Sequence, residues 1–105
     1  MADIIDFPKR PAPPEPLWRS VLGARLRRLR SGKGYSLTRT ARRAGISPQY
    51  LSEIERGLKE PSSEVVAAVA GALDCTVLEV ASLAVADLRR TGARRPSGPV
   101  ALLAA

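Results

Sequence analysis

Residues that stop helices and residues that start them alternate so closely between Gly32 and Thr76 that no element there can be long. Gly32-Lys33-Gly34, Gly45, Gly57 and Asp74 interrupt the chain, and Ser36, Ser47-Pro48, Pro61-Ser62 and Thr76 stand ready to reopen it. Glycine leaves a helix through the left-handed region without a Cβ penalty. Serine and threonine accept a hydrogen bond from the orphan amides of a first turn, and proline at the first helical position misses no donor. Between these stops the apolar residues have helical spacing: Val21, Leu22, Leu26 and Leu29 in one segment, and Val66, Val69, Ala70 and Leu73 in another. Thr40, Ala41 and Ala44 belong to a short second helix closing at Gly45, and Leu51 and Ile54 point inward from a third that ends at Gly57. No long stretch alternates with period two. The pattern predicts an all-α fold of five helices with short turns, the first over about 17–31 and the last over about 77–90.

The ends read differently. Five of the nine prolines (Pro8, Pro11, Pro13, Pro14, Pro16) fall in the first 16 residues, and Gly92, Pro96, Gly98 and Pro99 stud the last stretch. The expected organisation is a Pro-rich disordered arm over 1–16, a single helical domain over 17–90, and a flexible tail over 91–105.

Charge points to a partner. The formal net charge is +7 and the pI is near 10.8. Residues 17–60 hold eleven bases against three acids, whereas 61–105 hold four of each. A polyanion facing the first half of the domain is the implied partner. Arg25, Arg27, Arg28, Arg39, Arg42 and Arg43 are expected to be mostly solvated charge that raises the general field. Histidine is absent and Cys75 is the only cysteine, so no intrachain disulfide or CxxC zinc cluster is available. No nucleophile–base pair, phosphate loop or metal cluster is recognisable, and no enzyme, metal or cofactor is expected. No window approaches the ~18 apolar residues of a membrane span, and the start lacks a signal-sequence pattern. A cytoplasmic bacterial location is the expectation, without membrane association.

The turn Ala44-Gly45-Ile46-Ser47 is the most specific local signal. Glycine takes the left-handed position, Ile46 plugs the angle between two short helices, and Ser47 caps the second, an arrangement suited to placing that helix in a major groove. An ordinary αα corner has the same spacing. More than the turn matches, however. The run LGARLRRLR, the segment A-R-R-A-G-I-S, Y-L-S-E-I-E-R-G, Pro61-Ser62 and V-A-G-A-L make residues 22–81 resemble the lambda-repressor/Cro-type (XRE) helix-turn-helix family. The resemblance implies a five-helix DNA-binding domain, a structural ion pair between Arg30 and Glu55, and an apolar core role for Cys75. S-P-Q-Y-L-S-E-I-E-R-G-L-K-E-P-S-S-E is further similar to the Clp gene regulator group, activators of ATP-dependent protease genes in high-GC bacteria. Two positions depart from the broad family: Leu37 stands where a phosphate-contacting glutamine is common, and Thr40 replaces a core leucine.

The expected division of labour follows. Base reading falls to Gln49, Tyr50, Ser52 and Glu53: Gln49 suits adenine, Glu53 cytosine N4, and Tyr50 a thymine methyl or phosphate. Phosphate contacts fall to the capped helix starts at Ser36 and Ser47 and to Arg56 and Lys59. The fifth helix has little polar face, so Leu83, Val85 and Leu88 are expected at a homodimer interface, with Trp18 in the core or that interface. The resemblance also implies RNA polymerase and a Clp-type protease as partners, with Leu103, Ala104 and Ala105 as a degron. The expected function is a homodimeric, sequence-specific transcription regulator acting on inverted-repeat double-stranded DNA, most readily as an activator of Clp-type protease genes. The alternatives are a restriction-controller or antitoxin-type repressor, and a protein-interaction module that bridges a polymerase and an activator without binding DNA.

Overall fold

The structure, a computed structural model, describes residues 17–92. The two terminal arms, including the proposed degron Leu103, Ala104 and Ala105, lie outside the described residues. Five helices follow one another: α1 (Trp18–Gly32), α2 (Leu37–Ala44), α3 (Pro48–Glu55), α4 (Ser63–Ala72) and α5 (Val77–Gly92). The fold is all-α, and no described residue is in a strand.

Local chemistry accounts for most boundaries. Ser36, Ser47 and Ser62 each accept a hydrogen bond from the amide three residues on, at 3.0, 3.0 and 3.2 Å. Thr76 and Glu79 satisfy each other reciprocally, Thr76 N–H to Glu79 Oε1 at 2.8 Å and Glu79 N–H to Thr76 Oγ1 at 3.0 Å. That capping box fixes the start of α5. At its other end α5 runs two residues beyond the expected Arg90, to Gly92. Thr91 and Gly92 therefore belong to the helix and not to the tail. The Thr91 hydroxyl donates to the Asp87 carbonyl at 3.0 Å in this last turn.

The core is assembled from one to three residues at each helix: Leu22 and Leu26 from α1, Ala41 from α2, Leu51 and Ile54 from α3, Val69, Ala70 and Leu73 around α4, and Val80 and Ala84 from α5. Cys75 packs against this cluster, with its thiol donating to the Leu73 carbonyl at 3.5 Å. α1 lies against both α3 and α5, and α2 lies against α3 and α4. The closest approach is at Gly23, where a Cβ would stand 2.1 Å from the Ile54 carbonyl oxygen. Only a residue without a side chain lets α1 reach the end of α3. Thr40 is buried, and its hydroxyl donates to the Ser36 carbonyl at 2.8 Å. The polar atom that replaces leucine methyls is thus satisfied within its own helix.

α5 is clamped to α1 by a carboxylate. Asp87 is buried and accepts two hydrogen bonds from Arg25, at 2.7 and 2.6 Å, and one from Arg28 at 2.8 Å. Arg90 also pairs with it. The hydrogen bonds from Arg25, reinforced by the neighbouring guanidinium charges, hold the Asp87 carboxyl below the ordinary range. Arg25 and Arg28 are therefore structural partners of a buried acid, a correction to their expected role as solvated charge.

The rest of α5 is more exposed. Val77, Leu78, Leu83 and Val85 are exposed apolar residues. At 3.6 residues per turn, Leu78 and Val85 on one side and Leu83 on the other, roughly 140–160° apart, flank exposed Ser82 and Glu79 and half-buried Ala86. Leu88 lies about 40° from the buried Ala84 and is itself half-buried. It faces the core side of the helix, whereas Leu78 is turned outward. Trp18 is exposed and not part of the core, beside a groove that Leu22 and Val77 also line.

Candidate nucleic-acid interface

α2 and α3 are joined at Gly45, whose φ of 75° lies in the left-handed region. A side chain there would be strained. The Gly45 and Ile46 amides donate to the carbonyls of Arg42 and Ala41, at 3.1 and 3.0 Å. Ile46 packs against the core cluster and wedges the two helices apart. Ser47 then opens α3, with Pro48 in its first turn.

α3 has two unlike sides. Leu51, Ile54 and Glu55 are buried. Gln49, Ser52, Glu53 and Arg56 fall within an outward arc of about 100° on the opposite side. Gln49 and Arg56 are exposed, while Ser52 and Glu53 are half-buried. Tyr50 departs from this group. It sits on the flank of the helix and packs partly against the core, because its position is about 60° from the outward arc.

The buried side of α3 is anchored by charge as well as by packing. Arg30 Nε donates to Glu55 Oε2 at 2.7 Å, and a second guanidinium nitrogen donates to Oε1 at 3.0 Å. The remaining nitrogen donates to the Tyr35 carbonyl at 2.9 Å. The two-point bond to Glu55 raises the Arg30 pKa. Tyr35 extends the network: its hydroxyl donates to Asp74 Oδ2 at 2.7 Å. The guanidinium carbons of Arg39 and Arg43 lie 5.8 and 6.0 Å from its ring centre. Arg43 also reaches Asp74 Oδ1 at 3.4 Å. The Tyr35 bond, followed by the nearby Arg43 charge, lowers the Asp74 pKa. Asp74 adopts a φ of 60° in the turn that closes α4, where the Cys75 amide donates to the Ala70 carbonyl at 2.8 Å, a conformation aspartate tolerates better than most non-glycine residues.

The residues expected at phosphates are distributed around this face. Ser36 and Ser47 are exposed at the starts of α2 and α3, their oxygens engaged as caps. Arg56 is exposed just beyond α3, and Lys59 in the following loop stands 3.6 Å from Glu53 Oε1. Leu37 is half-buried against the core, leaving backbone amides as the donors at the start of α2. Two features had no local signature: the Tyr35–Asp74 bond, which joins residues 39 apart, and the Lys59–Glu53 pair. Among the described residues no group of His, Cys, Asp and Glu can hold a metal ion, and no single helix is long and apolar enough to cross a membrane.

Comparison with known proteins agrees with this geometry. The transcriptional regulator ClgR of Mycobacterium tuberculosis (strain H37Rv) is 45% identical over 64 residues, covering 61% of this chain and 53% of that protein. The chain thus spans about half the length of this relative. The crystal structure of the clp gene regulator ClgR from Corynebacterium glutamicum superposes with a TM-score of 0.73 at 46% identity, covering 77% of this chain and 86% of that one. SinR, described as the master regulator for biofilm formation and solved in complex with DNA, gives a TM-score of 0.54 at 39% identity, covering 57% and 97%. These relatives are transcriptional regulators and not enzymes. A family model described as a helix-turn-helix domain matches residues 21–83, and the chain belongs to that family, the XRE-type helix-turn-helix domains.

Proposed function

We infer that the chain is a homodimeric, sequence-specific DNA-binding transcription regulator that lays α3 in a major groove. The observation that carries this reading is the outward arc of Gln49, Ser52, Glu53 and Arg56 on a helix whose other side is fixed by Leu51, Ile54 and the Arg30–Glu55 bond. A rigid helix with a polar outer face in the basic half of the chain meets the physical needs of groove reading. Gln49 pairs with adenine through N6 and N7, and Glu53 accepts from cytosine N4. Tyr50, on the flank, suits a thymine methyl or a phosphate at the groove edge. The amides at the Ser36 and Ser47 caps, with Arg56 and Lys59, engage phosphates.

The dimer forms through the outward face of α5, where Leu78, Leu83 and Val85 border Ser82, Ala86 and the capping acid Glu79. Two-fold symmetry then matches an inverted repeat whose half-sites lie about one turn apart, ~34–36 Å. The sequence shared with ClgR supports a narrower reading, in which the chain activates Clp-type protease genes and meets RNA polymerase at their promoters. The test is a gel shift with promoter fragments of the host's Clp-type protease genes, run beside reporters in cells lacking the regulator. Selective retention with reduced reporter output is expected. Increased output would assign repression, and equal retention of all fragments would overturn the reading.

A further inference from the structure

The loop after α3 returns a positive charge onto the arc that faces outward, and the way it returns is built into the backbone. Gly57 has a φ of 77°, and its amide donates to the Ile54 carbonyl at 3.0 Å while the Leu58 amide donates to the Glu53 carbonyl at 2.9 Å. These paired bonds form a Schellman close, which reverses the chain over the last turn of α3. Arg19 Nε holds the Gly57 carbonyl at 3.1 Å. A Cβ at Gly57 would stand 2.7 Å from Ser20 Oγ, so α1 presses on the reversal from behind. The reversal brings Lys59 Nζ to 3.6 Å from Glu53 Oε1. The Glu53 side chain is 23% exposed although it sits on the outer arc, and Lys59 is 56% exposed.

We propose that Lys59 is a specificity-determining residue that works through Glu53, beyond serving as a phosphate contact; this rests on the DNA-reading function proposed above. A bare carboxylate brought into a groove meets the field of one phosphate charge per ~1.7 Å of duplex. An ammonium beside one carboxylate oxygen offsets part of that repulsion and biases the side chain's position. The other oxygen, Oε2, is left to accept from a cytosine amino group. The outer side of the same ammonium faces the phosphates. Lys59 is therefore a positioning residue for a base contact, and removing it changes which sequence is preferred as well as how tightly DNA is held.

The experiment compares binding of the full chain to a panel of operator half-sites that vary the base facing Glu53, using wild type, Lys59→Met, Lys59→Arg, Glu53→Gln and the Lys59→Met, Glu53→Gln double variant. Wild type should prefer its base by roughly 5- to 150-fold, the range for a good side-chain–base pair. Lys59→Met should shrink that preference by roughly two- to fivefold, the worth of an exposed ion pair, in addition to weakening all sites. Lys59→Arg should restore the preference, and in the Glu53→Gln background Lys59→Met should weaken all sites alike. Unchanged melting of each variant keeps folding out of the comparison. If Lys59→Met weakens every half-site equally while wild type discriminates, the coupling is overturned and the DNA-reading function stands. A wild type blind to sequence overturns that function and this proposal with it.

Discussion

Removing either partner of the Arg30–Glu55 bond should unfold a large fraction of the molecule's stability. The side chains are 15% and 5% exposed, so neither charge can turn to water without opening the contact between α1 and α3. Arg30→Met leaves the Glu55 carboxylate among Leu51 and Ile54, and it also strips the Tyr35 carbonyl of its donor. Glu55→Leu leaves the guanidinium with only that carbonyl. Stranding one member of a buried pair costs about 3–5 kcal/mol, and the slight exposure of Arg30 places this case toward the lower figure. Small domains have about 5–15 kcal/mol in total, so each single variant should lower the urea midpoint markedly at unchanged slope. The double variant replaces the pair with apolar groups and should cost much less than the sum of the singles. Additive losses in that double-mutant cycle would refute the argument that the bond is a coupled, desolvated unit.

Gly23→Ala should be disproportionately harmful for a one-carbon change. Its Cβ meets the Ile54 carbonyl, and the overpacking cost should reach about 1–3 kcal/mol or more by chemical denaturation. Asp87 should give the molecule an acid-sensitive clamp. Its folded pKa is depressed, so its stabilisation is complete above the unfolded value of about 3.9 and drains as pH falls through the lower folded value. Asp87→Asn should lose stability at neutral pH and show a flatter stability profile below about pH 4, measured by denaturant melts across pH. Leu78→Glu and Leu83→Glu should each convert the proposed dimer to a monomer in sedimentation, because a charge in an apolar contact has no partner. Unchanged mass in both would move the interface off α5.

What was legible in the sequence was local. Ser36, Ser47, Ser62 and Thr76 cap helices because the chemistry of a cap is contained within four residues, and Gly45 marks its turn for the same reason. The apolar stripe of α1 likewise identifies Leu22 and Leu26 as core. Much of what stayed hidden depends on partners far along the chain. Arg25 looks like one more solvated charge until Asp87, 62 residues away, folds beside it. Glu79 joins the cap at Thr76 only three residues away, yet serine and threonine signals draw attention to the cap and not to its reciprocal acid. On α3, period alone assigns Gln49, Ser52 and Glu53 to one face and sets Tyr50 on its flank, whereas the return of Lys59 depends on how the loop after Gly57 closes the helix. α5 is apolar on most sides, so its composition could not distinguish Leu88, turned toward the core, from Leu78, turned away.

Selection of the full chain on a randomised duplex library at near-physiological salt tests the central claim most directly, namely that the outer arc of α3 reads sequence. The recovered duplexes should converge on an inverted repeat with half-site centres about 10–10.5 base pairs apart. Gln49→Ala and Glu53→Ala should each erase the preference at a different position of the half-site, while Arg56→Ala should weaken all sites and lower the salt dependence by about one ion. Recovery of duplexes with no common sequence, or an identical consensus from all three variants, would contradict the account.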